Sequence, residues 1–128
     1  EAPIEVDGTR TILAAMQAQG VRRLIVVTSI GVGDSQDQVP LPFKMLMKTV
    51  LRKVMQAKEE QEKLVMASGL DWTIVRPGGL TDGPPTDRYT AGLDKSITAG
   101  QVSRADVAAF VLQQLADATY VQKTPAIT

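Results

Sequence analysis

Any chemistry in this chain must be done without histidine or cysteine, because its 128 residues contain neither. A Ser-His-Asp triad, thiolate catalysis, disulfides and zinc-ribbon sites are thereby excluded, and a transition-metal site would have to be built from carboxylates. Asp34, Asp37, Asp82 and Asp87 fall in loops without EF-hand spacing, so no metal site is expected. What remains are hydroxyls, glycines and cations. Thr28 and Ser29 close an apolar run, Gly78 and Gly79 follow Pro77, and Lys44, Lys48, Arg52 and Lys53 form a basic series. Hydroxyls at the carboxyl end of a buried strand stand where open α/β sheets bind ligands. They can equally satisfy loop amides. The glycine pair can admit a ligand close to the backbone, or make a plain turn. The basic series can draw in an anion, although a solvated helix face is the ordinary reading. Arg76, inside an apolar run, fits a structural ion pair better than a phosphate contact.

These residues need elements to position them. Pro3 to Gln19 has helical periodicity on Ile12, Leu13, Ala15 and Met16, with Gly20 as its stop. Val21 to Ser29 carries the continuous apolar run Leu24 to Val27, the pattern of a parallel strand buried on both faces. A turn-rich loop, Gly31 to Gln38, leads to Pro40 and Pro42. Spacing from Phe43 through Met55, resumed at Leu64 and Val65, predicts one long helix over 43–68, ended by Gly69. Asp71 to Pro77 reads as a second buried strand with Trp72 in the core. Residues 78–85 read as a loop and 88–97 as a short strand or hairpin. Ser103 suits a helix N-cap with Asp106 three residues on, the helix running to about Ala116. A last strand is expected near Tyr120 and Val121. Helices alternating with apolar runs imply βαβ crossovers and a parallel sheet in one domain over 1–128.

Composition narrows the partners. Fourteen Lys plus Arg balance fourteen Asp plus Glu, giving zero net charge and no long-range pull toward nucleic acid or acidic membranes. Aromatic residues make up only 4%, too few for a base-stacking platform. No apolar stretch is long enough to span a membrane. The first residues lack the pattern of a signal peptide, and a cytoplasmic location is the default expectation.

Four segments in order carry a resemblance: Gly8 to Met16, Gly20 to Ile30, Ala67 to Gly79 and Val102 to Ala108. Together they resemble the C-terminal part of an atypical short-chain dehydrogenase/reductase of the NmrA-like and flavin reductase (biliverdin reductase B-like) NAD(P)-binding branch. The resemblance covers nearly the whole chain. It implies the C-terminal half of a doubly wound, Rossmann-like α/β fold and an NAD(P) cofactor. It places Thr28 and Ser29 near the nicotinamide, Lys58 on a ribose hydroxyl, and Pro77, Gly78, Gly79 and Leu80 in the loop lining the nicotinamide end. Without the resemblance, Lys58 reads as a solvated cation paired with Glu62 at i+4. Met45 and Met47 read as packing or as part of a substrate lid.

The departures shape the function. The family's GxxGxxG turn, which seats the pyrophosphate on a helix N-terminus, does not occur in this sequence. Weak or no NADPH binding by this chain alone is therefore expected. The chain opens on Glu1 rather than Met, which leaves a truncated fragment and a self-sufficient unit both open. The family's Tyr-x-x-x-Lys, whose Lys lowers the Tyr pKa so that the phenol can shuttle a proton, reads Val54-Met-Gln-Ala-Lys58 here. No catalytic residue is identified. The resemblance implies a parent that reduces a small-molecule, flavin- or quinone-like acceptor with NAD(P)H, since nicotinamide itself carries that chemistry. The alternatives are a non-catalytic NAD(P)-binding redox sensor or assembly factor, or a piece that binds no cofactor. An apolar strand deprived of a neighbour exposes both hydrogen bonds and apolar area, so a homodimer through a sheet edge is expected.

Overall fold

A computed structural model describes residues 2–128. Helix α1 (Ile4–Gln19) leads into strand β1 (Arg23–Val27). A single 3-10 stretch (Gly33–Gln38) precedes helices α2 (Leu41–Lys48) and α3 (Arg52–Met66). Then come β2 (Asp71–Pro77), β3 (Gly79–Thr81), β4 (Ala91–Gly92), β5 (Gln101–Ser103), α4 (Arg104–Leu115) and β6 (Ala126–Ile127). The main sheet has the order β1-β2-β6-β4, parallel except for the β4–β6 pair, and β3 and β5 make a separate parallel pair. This is a partial Rossmann-like α/β arrangement, as the alternation of helices and apolar runs implies.

Period-2 alternation along β2 explains the layers. Trp72 and Ile74 turn to one face and pack with Val65 of α3. Val75 turns to the other and packs with Val102, Val107, Phe110 and Ile127 beneath α4. β2 is therefore buried from Trp72 to Pro77. The apolar run Leu24 to Val27 implies equal burial for β1, yet the strand is half-buried with Val27 exposed, because it pairs on one side only and forms the edge of the described sheet. Its outer side is the free edge that the expected homodimer would use.

Further sequence expectations need correction. The long helix over 43–68 is two helices. Thr49 leaves the helical region, and its hydroxyl bonds the carbonyls of Met45 and Leu46 at 3.0 and 3.3 Å, competing with the helical ladder. The apolar spacing continues across the break, so periodicity alone does not reveal it. The last strand lies at Ala126–Ile127, not near Tyr120 and Val121. Ile127 is fully buried beside β2, while residues 120–122 are turn, with Gln122 at φ 58°. Tyr120 instead stacks obliquely on Phe110 at 6.0 Å. The expected loop over 78–85 contains β3, whose partner β5 only tertiary folding supplies. The Ser103 cap forms as read, its hydroxyl accepting from the Asp106 amide at 3.0 Å.

Candidate functional site

The carboxyl ends of β1 and β2 carry two adjacent hydroxyls that part company. Alternation sends Thr28 to the α3 face and Ser29 to the other. On the Ser29 side lies a cavity of about 320 Å³ walled by Ser29, Ile30, Pro40, Phe43, Pro77, Gly78, Gly79, Ala99, Gly100 and Gln101. The Gln38 carbonyl accepts from the Ala99 amide at 2.7 Å and its side chain donates to the Ile97 carbonyl at 3.0 Å. This lashes the segment before α2 to the one before β5, both of which wall the cavity. The walls are mostly apolar, and the Ser29 hydroxyl has no hydrogen-bond partner among the described residues.

Ser29, Pro77, Gly78 and Gly79 thus come together as the sequence reading has them. Gly78 is glycine for a packing reason, since a Cβ there would stand 2.8 Å from the Gly100 carbonyl and 2.8 Å from Thr128 Oγ1. The Gly78 and Gly79 amides donate to the carbonyls of Ile127 and Gly100 at 2.9 and 2.7 Å. The pair therefore contributes shape to the cavity, not free donors. Leu80, on β3, is exposed and does not line it. Ile30, Pro40, Phe43 and the 99–101 segment were missed as wall residues. Pro40 was legible only as a helix opener, and nothing local marks 99–101.

Thr28 belongs to a different structure. Its hydroxyl donates to Glu62 Oε2 at 2.7 Å, and Arg76 forks onto the same carboxylate through Nε at 3.0 Å and Nη2 at 2.7 Å. Arg76 and Glu62 side chains are each 2% exposed. Arg76 Nη1 also donates to Asp34 Oδ1 at 2.5 Å, and Lys95 donates to Asp34 Oδ2 at 2.8 Å. Burial would lower the Arg76 pKa, but hydrogen bonding and charge from Glu62, then Asp34, raise it above its ordinary value. The Lys95 hydrogen bond, with Arg76 behind it, outweighs burial and holds Asp34 down to about 2. The structural ion pair anticipated for Arg76 is therefore present, and it takes Glu62 away from Lys58. Lys58 is half-buried one turn earlier on the same face of α3, with no ion-pair partner among the described residues.

The sequence matches the NAD(P)H-binding family over residues 2–118. An uncharacterised chloroplastic protein of Arabidopsis thaliana is 34% identical over 116 residues, which is 88% of this chain and 41% of that protein. The sugar epimerase YhfK of Bacillus subtilis, itself uncharacterised, is 30% identical over 112 residues, 88% of this chain and 47% of that one. Among solved structures, ChuY, an anaerobillin reductase from Escherichia coli O157:H7, superposes with a TM-score of 0.81 at 31% identity, covering 98% of this chain and 59% of ChuY. The chain thus spans only about half the length of these relatives. A short-chain dehydrogenase/reductase of Veillonella parvula in complex with NADP shares the fold, with a TM-score of 0.77 at 21% identity. The ordered motifs, the partial Rossmann-like sheet and these matches agree: the chain belongs to the NAD(P)H-binding family.

Proposed function

We propose that the whole protein built on this chain uses NAD(P)H to reduce a flat, flavin- or quinone-like acceptor, with the Ser29 cavity as the nicotinamide end of its site. The observation that carries this reading is the cavity itself. It lies at the carboxyl edge of β1 and β2, has apolar walls with one free hydroxyl, and gathers Ser29, Pro77, Gly78 and Gly79. Those residues fit an uncharged aromatic ring. Nothing in this sequence supplies the glycine-rich turn for a pyrophosphate.

In this reading Ser29 orients the ring's polar substituent, Pro77 and Phe43 exclude water, and the Gly78–Gly79 turn sets the depth of the cavity. Bound NAD(P)H supplies the hydride. Lys58, uncommitted to Glu62, is free to hold a ribose hydroxyl, for which Lys58→Ala would cost about 1–2 kcal/mol of cofactor binding. Val54 stands where a phenolic acid would act and can deliver no proton. That favours acceptors whose reduced form takes its proton from water, and it disfavours chemistry that needs a phenolic acid at this position. The name of ChuY supports a reductase.

The test is NADPH oxidation by the full-length parent with flavin mononucleotide, a quinone or a simple ketone. Flavin or quinone is expected to turn over, with ketone slower by about 10²-fold or more, the usual worth of a positioned acid. Ser29→Ala should slow flavin reduction, and Val54→Tyr should leave it within about twofold on the same scale. Vigorous ketone reduction, lost on changing Ser29 alone, would overturn the reading.

A further inference from the structure

The break between α2 and α3 builds a second cleft along α2, lined by none of the residues that wall the Ser29 cavity. Phe43 faces the cavity, while Lys44 and Met47 face a cleft of about 300 Å³. Had residues 43–68 formed one straight helix, Lys48 and Arg52 would follow each other along a solvated face. The turn at Thr49–Leu51 instead brings Lys44 and Lys48 of α2 and Arg52 of α3 to the lining of one cleft.

The floor is sulfur-rich. Met47 is 6% exposed, and its Sδ lies 2.5 Å from where a Cβ on Gly31 would stand; the Met55 methyl lies 3.4 Å from the same point. Gly31 has φ 108°, a left-handed backbone that favours glycine, and the absence of a Cβ lets the Met47 thioether lie against the chain. The charge around the cleft is unbalanced. Lys44 pairs with Asp37, but no carboxylate lies within ion-pair distance of Lys48 or Arg52 among the described residues. Glu59, at the other end of the cleft, faces Lys63 at 3.9 Å.

Polarizable thioethers make favourable contacts with aromatic rings. A guanidinium beside an ammonium suits a carboxylate, which the planar fork can grip with two parallel bonds. We propose that this cleft is a binding site for an aromatic carboxylate, its ring on Met47 and Met55 and its charge between Lys48 and Arg52. The site is separate from the nicotinamide cavity and stands whether or not that cavity holds a cofactor. Because α2 walls both, an occupant of the cleft would bear on the helix that carries Phe43.

The probe is 2-naphthoate, titrated into the chain with isotope-labelled methionine methyl groups and followed by NMR. Saturable shifts are expected at Met47 and Met55, with Met16 and Met66 unmoved. The Lys48→Glu/Arg52→Glu double variant, altered only at exposed positions, should weaken the probe by about tenfold or more, as should replacing naphthoate by the uncharged 2-naphthalenemethanol. No saturable shift at Met47 and Met55, or shifts that keep the same midpoint after charge reversal, would overturn the proposal.

Discussion

At the ends of β1 and β2, the two faces of the sheet do opposite things with the same kinds of side chain. On the α3 face the buried polar groups at the strand ends are spent on one another. Thr28, Glu62 and Arg76 are buried and satisfy one another, with Asp34 and Lys95 closing the set toward solvent. On the other face the Ser29 hydroxyl has no partner among the described residues, and the walls around it are mostly apolar. A saturated network rigidifies, since a buried charge cannot move without leaving its partner unpaired. An unsaturated, concave, mostly apolar surface is what a ligand site needs. One residue of register separates the two, which is why the hydroxyl pair Thr28-Ser29 could not be assigned as a unit.

The contrast is most easily broken at Glu62. Glu62→Ala leaves Arg76 buried with Asp34 as its one carboxylate and Thr124 beside it, and should cost about 3–5 kcal/mol of unfolding free energy by urea titration. A loss below about 1 kcal/mol, the worth of an exposed pair, would mean that the network does not hold the strand ends. The Ser29 side makes the next largest difference. Without a glycine-rich turn, each missing charge-assisted contact to the diphosphate forfeits about 1.5–3 kcal/mol, so calorimetry should find NADPH binding to this chain weak or undetectable. Submicromolar affinity would contradict it.

The hydroxyls themselves sharpen the comparison. Thr28→Val should destabilise by about 1–2 kcal/mol, because it strips a bond from a buried carboxylate. Ser29→Ala should lie within about 0.5 kcal/mol of the parent in thermal unfolding, since it breaks nothing inside the protein. Equal effects would erase the distinction between the faces. The smallest effect concerns the rim of the network. The Asp34 carboxyl titrates at about 2 when folded and at its ordinary 3.8 when not. A folded pKa below the unfolded one gives stability that is present above the ordinary value and lost as pH falls through the folded one. The gap in urea midpoint between the parent and Asp34→Asn should therefore be full near neutrality and shrink as pH drops from about 4 toward about 2. A gap that stays constant across that window would assign the effect to something other than the carboxylate's charge.

Much of this was legible in the chain. Gly20, the Leu24 to Val27 run, Pro77 and the Ser103–Asp106 spacing each mark an element end by local chemistry, and each lies where it was read. The break at Thr49 was not legible, because Phe43 to Met55 keep a helical stripe while the backbone under it changes. β6 was misplaced for a similar reason. Val121 is as apolar as Ile127, and only the space beside β2 chooses between them. Of the residues that wall the Ser29 cavity, Ser29 and the Pro77 to Gly79 turn are singled out by the sequence, while Phe43 and the 99–101 wall carry no local signal.

By itself the sequence determined which chemistries this chain's own residues cannot perform, the order of its helices and apolar runs, and the family it belongs to. These follow from residue identity and short-range spacing, which need no partner from elsewhere in the chain. Only the tertiary structure decided that Glu62 answers Arg76 and not Lys58, that Thr28 and Ser29 face apart, and that Lys48 and Arg52 share a cleft. Each of those outcomes depends on a competitor brought close by folding. Arg76, Glu62 and Thr28 are far apart in sequence, and the low-dielectric interior gives the buried fork precedence over any pair that water could replace.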